Sequence, residues 1–245
     1  MIISAAQFTA RPRDIDANVA RMAGFVTEAG ERGASLVVFA ELAVTGYELD
    51  AIADGAGRLT LAPDDPRLTP LREACRAAGV AAVVNCAGRA PAGPTISSFV
   101  YGPDGALLTR YDKQHVTQTE AAAGFVAGTA DGRFALNGVA FALAICFDAH
   151  FPALAARAAA DGCRVLLASS LYGRGAGQAE RREIFPALAK DNGLHVLLAN
   201  HVGRAGPYDA CGLSAVWGPD GTAVAEGADA EEGLVLGPQS PDGLG

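Results

Sequence analysis

The chain has 245 residues, half of them hydrophobic and 19% charged, with a formal net charge of −8. That length supports one substantial core or two small domains, and the composition is that of a compact protein rather than a disordered one. Lys and Arg are scattered singly, with no basic stripe to follow a phosphate backbone, so nucleic acid is not expected as a partner.

Met1 to Gln7 has neither a basic n-region nor a long apolar stretch, so it does not read as a signal peptide. No window approaches ~18 consecutive apolar residues, so no membrane span is expected. The five cysteines are an odd number without CxxC spacing, which argues against a disulfide framework and a zinc site and fits a reducing cytoplasm.

In chain order, Ile15, Val19, Met22 and Val26 recur at helical spacing, predicting an amphipathic helix over roughly 15–30. Leu36 to Phe39 reads as a buried strand, 65–76 as a helix and 80–84 as another strand. The middle of the chain turns to hairpins. Residues 97–101 and 107–111 flank Gly102-Pro103-Asp104-Gly105, and 134–136 and 139–145 flank Asn137-Gly138, a pair suited to a type I′ turn. Residues 150–162 and 178–193 read as helices, and 165–168 and 195–199 as buried strands. A last hairpin pairs 214–217 with 222–225 around a second Gly-Pro-Asp-Gly turn. Hairpins mixed with helix-joined strands predict mixed sheets with helices packed outside, a layered α/β protein. No composition break precedes the Gly- and Pro-rich tail at 237–245, so one domain over 1–245 is the simplest organisation.

Three reactive side chains stand just past apolar strands, where a rigid scaffold presents functional groups on loops. Glu41 follows Phe39-Ala40, Lys113 closes a hairpin, and Cys146 follows Ala140 to Ile145 and runs into Phe147-Asp148. Taken alone each has an ordinary reading: a solvated strand end, a surface lysine, a buried core cysteine. His115, near Lys113, reads as structural. A cysteine where a strand enters a helix would meet free N–H groups and a positive dipole end, both of which favour thiolate and lower its pKa. Together the three supply what Cys attack on an amide requires: a base that later acts as acid, a cation for the oxyanion, and a nucleophile.

These residues sit in ordered motifs: Phe39-Ala40-Glu41-Leu42 with Thr45-Gly46-Tyr47, Gly102 to Gly105 leading to Tyr111-Asp112-Lys113-Gln114-His115, and Ile145-Cys146-Phe147-Asp148-Ala149-His150-Phe151-Pro152. Asp191-Asn192, Ala199-Asn200 with Val202-Gly203, and Gly212-Leu213-Ser214 follow in order. The chain thereby resembles the nitrilase superfamily of carbon–nitrogen hydrolases. The resemblance implies a four-layer α-β-β-α sandwich with two mixed sheets. It implies Glu41 as general base and acid, Lys113 as oxyanion stabiliser and Cys146 as nucleophile, with no metal or organic cofactor. The backbone N–H of Phe147 would share the oxyanion. The family carries a second glutamate between its lysine and cysteine, and Glu120 is the candidate in that interval. His150 and Tyr172, in loops after Cys146 and Ser170, are candidate pocket residues. The expected partner is a small amide or related substrate, and the family's symmetric homodimer or a higher homo-oligomer is the expected assembly.

The chain departs from the family at Ala153, where Glu is frequent after Phe-Pro, at His201, where Arg is frequent after Ala-Asn, and at Ser97-Ser98. Nitriles, N-carbamoyl amines and ureido acids remain alternative substrates, transfer of the thioester to an amine an alternative outcome, and a catalytically silent scaffold an alternative role.

Overall fold

The computed structural model describes residues 1–237; the tail expected from 237 onward lies outside them apart from its first residue. The first half of the chain forms β1 (Ile2–Gln7), α1 (Ile15–Glu31), β2 (Ala34–Phe39), α2 (Leu49–Asp54), α3 (Ala56–Leu59), α4 (Thr69–Ala78), β3 (Ala81–Gly88), β4 (Thr95–Tyr101), β5 (Leu107–Asp112) and α5 (Gln118–Ala122). The second half forms β6 (Arg133–Leu136), β7 (Val139–Ile145), α6 (Pro152–Ala160), β8 (Val165–Ser170), α7 (Ala176–Asn192), β9 (His195–Asn200), β10 (Val202–Ala205), β11 (Tyr208–Cys211), β12 (Ala215–Trp217), β13 (Ala223–Glu226) and β14 (Gly233–Gly237).

The strands make two six-stranded sheets, ordered β14-β1-β2-β3-β4-β5 and β13-β12-β9-β8-β7-β6, with β10-β11 as a separate hairpin. Both sheets are mixed. The central pairs β1–β2 and β2–β3 in one, and β7–β8 and β8–β9 in the other, are parallel, and the flanking pairs are antiparallel. Parallel strands covered on both faces need apolar side chains throughout, which explains runs such as Leu36-Val37-Val38-Phe39.

Alternation along those strands sorts residues into three apolar layers. Ile3, Leu36 and Val38 of the first sheet face Leu143, Leu167 and Leu197 of the second. Val37 and Phe39 point the other way, onto Val19, Met22 and Phe25 of α1 and Leu71 of α4. Leu166 and Leu198 meet Leu154 of α6 and Phe185 of α7. Each fully buried Met, Leu or Phe is worth roughly 1.5–3 kcal/mol against exposure, so these layers carry the fold. The result is the expected α-β-β-α sandwich.

Local signals set the element ends. Asp14 Oδ1 accepts from Ala17 N–H at 3.1 Å and starts α1. Asn137 and Gly138 both take positive φ, 50° and 81°, as a type I′ turn requires. The helix expected over 65–76 opens as a short 3-10 turn at Pro66–Leu68 before α4. The helix expected over 150–162 is likewise a 3-10 turn, Cys146–His150, followed by α6.

Candidate active site

Glu41 stands just beyond β2 and is fully buried. The next residue, Leu42, takes a left-handed backbone with φ 53°, an uncommon conformation for a side chain of that size. Its N–H is held by Asn85 Oδ1 at 2.7 Å. The Glu41 N–H donates across the sandwich to Ser170 O at 3.3 Å, so the second sheet helps place a residue of the first.

Lys113 follows β5, and its N–H is anchored on Ile96 O at 2.8 Å. It is fully buried, not the surface lysine its hairpin position suggests. Its Nζ lies 2.7 Å from Glu41 Oε1 and 2.7 Å from Glu120 Oε1. Two carboxylates compensate one buried ammonium, the pairing that makes burial of such charges tolerable. Glu120 is held in turn by its own helix. Thr117 Oγ1 accepts from Glu120 N–H at 3.2 Å, and Glu120 Oε2 accepts from Thr117 N–H at 2.8 Å, a capping box at the start of α5. The candidate second glutamate therefore does meet Lys113.

Cys146 opens the 3-10 turn after β7 with φ 46°, a sharp strand-to-turn corner. Cys146 is half-buried, whereas the other four cysteines are buried. Sγ faces Leu171 O at 3.7 Å. The expectation of a lowered thiol pKa is overturned. Burial and the neighbouring Glu41 push it well above the ordinary cysteine value, against the opposing pull of Lys113. The physical reason is packing: burial strips the sulfur of solvent and brings the Glu41 carboxylate beside it, while a five-residue 3-10 turn offers little of a helix's dipole.

Burial also raises Glu41, to about 7; Lys113 pulls it down, Glu120 pushes it up, and the Cys146 thiol is close enough to lower it slightly. No conventional hydrogen bond reaches Glu41 Oε2 among the described residues. Burial works against the Lys113 ammonium, but Glu41, Cys146 and Glu120 outweigh it, and the net direction is up. The cluster thus holds a carboxylate near neutrality, a permanent cation and a protonated thiol. It can take a proton from sulfur as attack occurs and return it to a leaving group.

Phe147 follows Cys146 in the first turn of the 3-10 helix, where backbone N–H groups lack intrahelical acceptors. Tyr172 is buried, its hydroxyl has no hydrogen-bond partner among the described residues, and burial above all pushes its pKa up, with Glu180 and Glu41 adding to it. His150 Nε2 is 3.8 Å from Glu180 Oε2 of α7, a carboxylate that also acts on Tyr172, and His150 lines a cavity of about 460 Å³ between α6 and α7 with Ala153, Ile184 and Leu188. His115 is structural, as expected: Nδ1 lies 2.8 Å from Asp148 Oδ1, and its ring stacks on Phe151.

Two residues quoted only as parts of motifs acquire partners here. Tyr47 OH donates to Glu120 Oε1 at 2.8 Å. Asp148 Oδ2 accepts from Tyr111 OH at 2.7 Å and from Ile145 N–H at 3.0 Å, while Oδ1 accepts from His115 N–H at 2.9 Å. Asp148 thereby ties the lysine strand to the cysteine turn. Their positions six residues after Glu41 and two after Cys146 were the available signal. A cavity of about 460 Å³ opens beside Tyr47 and Thr119, bordered by Arg204 and Tyr208 of the β10–β11 hairpin. Gly206, at the hairpin turn, packs so closely on Tyr47 that a Cβ would strike the Tyr47 carbonyl. Among the described residues no group of three or more His, Cys, Asp or Glu is placed to hold a metal ion. No described helix is long and apolar enough to cross a membrane.

A family model for carbon-nitrogen hydrolases matches residues 2–240. The chain belongs to the carbon-nitrogen hydrolase family. This carbon-nitrogen hydrolase is similar to an amidase from Nesterenkonia sp. AN1, at 28% identity and a TM-score of 0.90 over 100% of this chain and 94% of that one. A variant of that amidase, with acrylamide added to its active-site cysteine, superposes with a TM-score of 0.89 at 29% identity over 100% of this chain and 95% of the other. By sequence the carbon-nitrogen hydrolase is 28% identical over 220 residues to the 2-oxoglutaramate amidase of Bacillus subtilis, spanning 88% of this chain and 82% of the relative.

Proposed function

We propose that this carbon-nitrogen hydrolase is an amidase that converts a small carboxamide to a carboxylic acid and ammonia through a thioester on Cys146. The observation that carries the reading is the buried Lys113 Nζ, 2.7 Å from both Glu41 and Glu120, with the Cys146 thiol close enough to act on both Lys113 and Glu41. The similarity to amidases supports the same reading.

In the first half-reaction, Glu41 accepts the thiol proton as sulfur attacks the carbonyl carbon. Burial and the Glu41 carboxylate disfavour a free thiolate, so the mechanism has the proton leave sulfur as attack occurs. Lys113 and the Phe147 N–H stabilise the oxygen that gains charge. The C–N bond breaks, Glu41 gives its proton to nitrogen, and ammonia leaves. In the second half, Glu41 takes a proton from water, which attacks the thioester. The C–S bond breaks, the acid leaves, and the proton returns to sulfur. Glu120 neither gives nor takes a proton; it holds Lys113. Tyr172 offers its unpartnered hydroxyl to the substrate.

Intact-mass spectrometry after incubation with primary amides, N-carbamoyl amino acids and nitriles tests this. The expected result is an acyl adduct from amides, absent in Cys146→Ala, with ammonia as the only released base. Carbon dioxide alongside ammonia would indicate a carbamoyl substrate instead. No adduct, with Cys146 inert to iodoacetamide in folded protein, would move the reading to a silent scaffold.

A further inference from the structure

The peptide that joins Glu41 to Leu42 is gripped at both edges. On one edge, Asn85 Oδ1 accepts the Leu42 N–H at 2.7 Å. On the other, His201 Nε2 lies 2.6 Å from the Glu41 carbonyl oxygen, the shorter of the two contacts. A carbonyl oxygen only accepts, so Nε2 carries the hydrogen. His201 is fully buried; the Phe8 carbonyl lies near its ring, but no conventional hydrogen bond reaches Nδ1 among the described residues.

The mount of this histidine is rigid. Asn200 beside it accepts from Tyr172 N–H at 2.8 Å, and its amide donates to Gly212 O at 2.8 Å and Tyr172 O at 3.1 Å. The His201 carbonyl accepts from Gly212 N–H at 2.9 Å. Its imidazole therefore reaches from the second sheet to the backbone of the first from a fixed base.

That backbone needs holding. Leu42 sits at φ 53°, and a left-handed backbone of this kind costs of order 1–3 kcal/mol. Rotation of the 41–42 peptide would release the strain, and it would also swing the Glu41 carboxylate away from Lys113 and the thiol. We propose that His201 is a positioning residue for Glu41, donating Nε2–H to its carbonyl so that the carboxylate keeps the angle at which it serves Cys146.

The donor is a neutral ring. Burial lowers the His201 pKa, against the carbonyls of Glu41 and Phe8, which favour its charged form. It fixes the backbone without adding a charge beside Glu41, whose ionisation stays governed by burial, Lys113 and Glu120. The inference rests on the proposed role of Glu41 as base.

The test compares His201→Gln with His201→Asn. Gln places an amide nitrogen near the Nε2 position; Asn is too short to reach it. Rates are taken per folded molecule, on a turned-over amide and on iodoacetamide alkylation of Cys146. The Asn variant is expected to lose about tenfold to a hundredfold in kcat, with KM within about threefold, and Gln to recover most of the loss. The midpoint of the kcat/KM pH profile is expected to fall in the Asn variant, as a loosened carboxylate finds water. Equal rates in the two variants, or losses that track only the folded fraction, would overturn the proposal. Failure of both variants to fold would also overturn it and make His201 structural. Wild-type protein inert on every amide would strike the proposed function instead, and the alkylation rates would still decide His201.

Discussion

Lys113 Nζ lies 2.7 Å from Glu41 Oε1, and neither side chain touches solvent. The lysine also neutralises Glu120, so replacing it leaves two buried carboxylates facing each other. Lys113→Met is expected to lose turnover and about 3–5 kcal/mol of stability near pH 8. At pH 5 the loss shrinks, because protonated carboxyls no longer repel. Urea unfolding at the two pH values checks both the size and the trend.

The rate should follow the ionisation of Glu41. Its pKa is raised to about 7, chiefly by burial, and the base form is the ionised one. kcat/KM is expected to rise with pH through about 7 and to fall about tenfold per unit below it. Stability moves the other way. The folded pKa exceeds the ordinary 4.5, so this residue's contribution is fully present below about 4.5 and is lost as pH rises through about 7. A pH–rate profile beside thermal melts at matched pH separates the two, and a flat profile from pH 5 to 8 would remove Glu41 as base.

Tyr47→Phe removes one of the two donors to Glu120 Oε1. A buried acceptor that loses a partner costs about 1–3 kcal/mol. The variant is expected to melt earlier and to lose kcat about tenfold as Lys113 loosens, since small displacements of a positioned group are costly. Steady-state kinetics and calorimetry on one preparation read both effects.

Tyr172→Phe is the contrasting case. Among the described residues its hydroxyl has no hydrogen-bond partner, so its removal is expected to leave stability within about 0.5 kcal/mol of wild type. If the hydroxyl meets substrate, KM rises about three- to tenfold, the worth of one neutral hydrogen bond. An unchanged KM would remove Tyr172 from the pocket.

Much of this architecture is legible in the sequence because buried parallel strands and amphipathic helices leave strong patterns. Leu36 to Phe39 and the Ile15–Val19–Met22–Val26 stripe are such signals. The β10–β11 hairpin and α2, α3 and α5 were not read, since short elements have too few residues for a period to show. Glu120 stands in the expected interval, and Thr117-x-x-Glu120 is a local capping signal, but nothing local reveals that the same carboxylate holds Lys113. The direction of the Cys146 pKa was misread for a related reason. Turn chemistry is local and visible, whereas the field of Glu41, more than a hundred residues earlier, exists only once the sheets pack.

Glu41, Lys113 and Glu120 hang from the first sheet, and Cys146 and Tyr172 from the second. On the proposed mechanism neither half of the chain carries hydrolytic power by itself. A polypeptide made from its N-terminus completes the base and the cation before the nucleophile is synthesised. On that mechanism Cys146 gains its base and its cation only when the two sheets pack together, and labelling of Cys146 during refolding would time the closing of the sandwich.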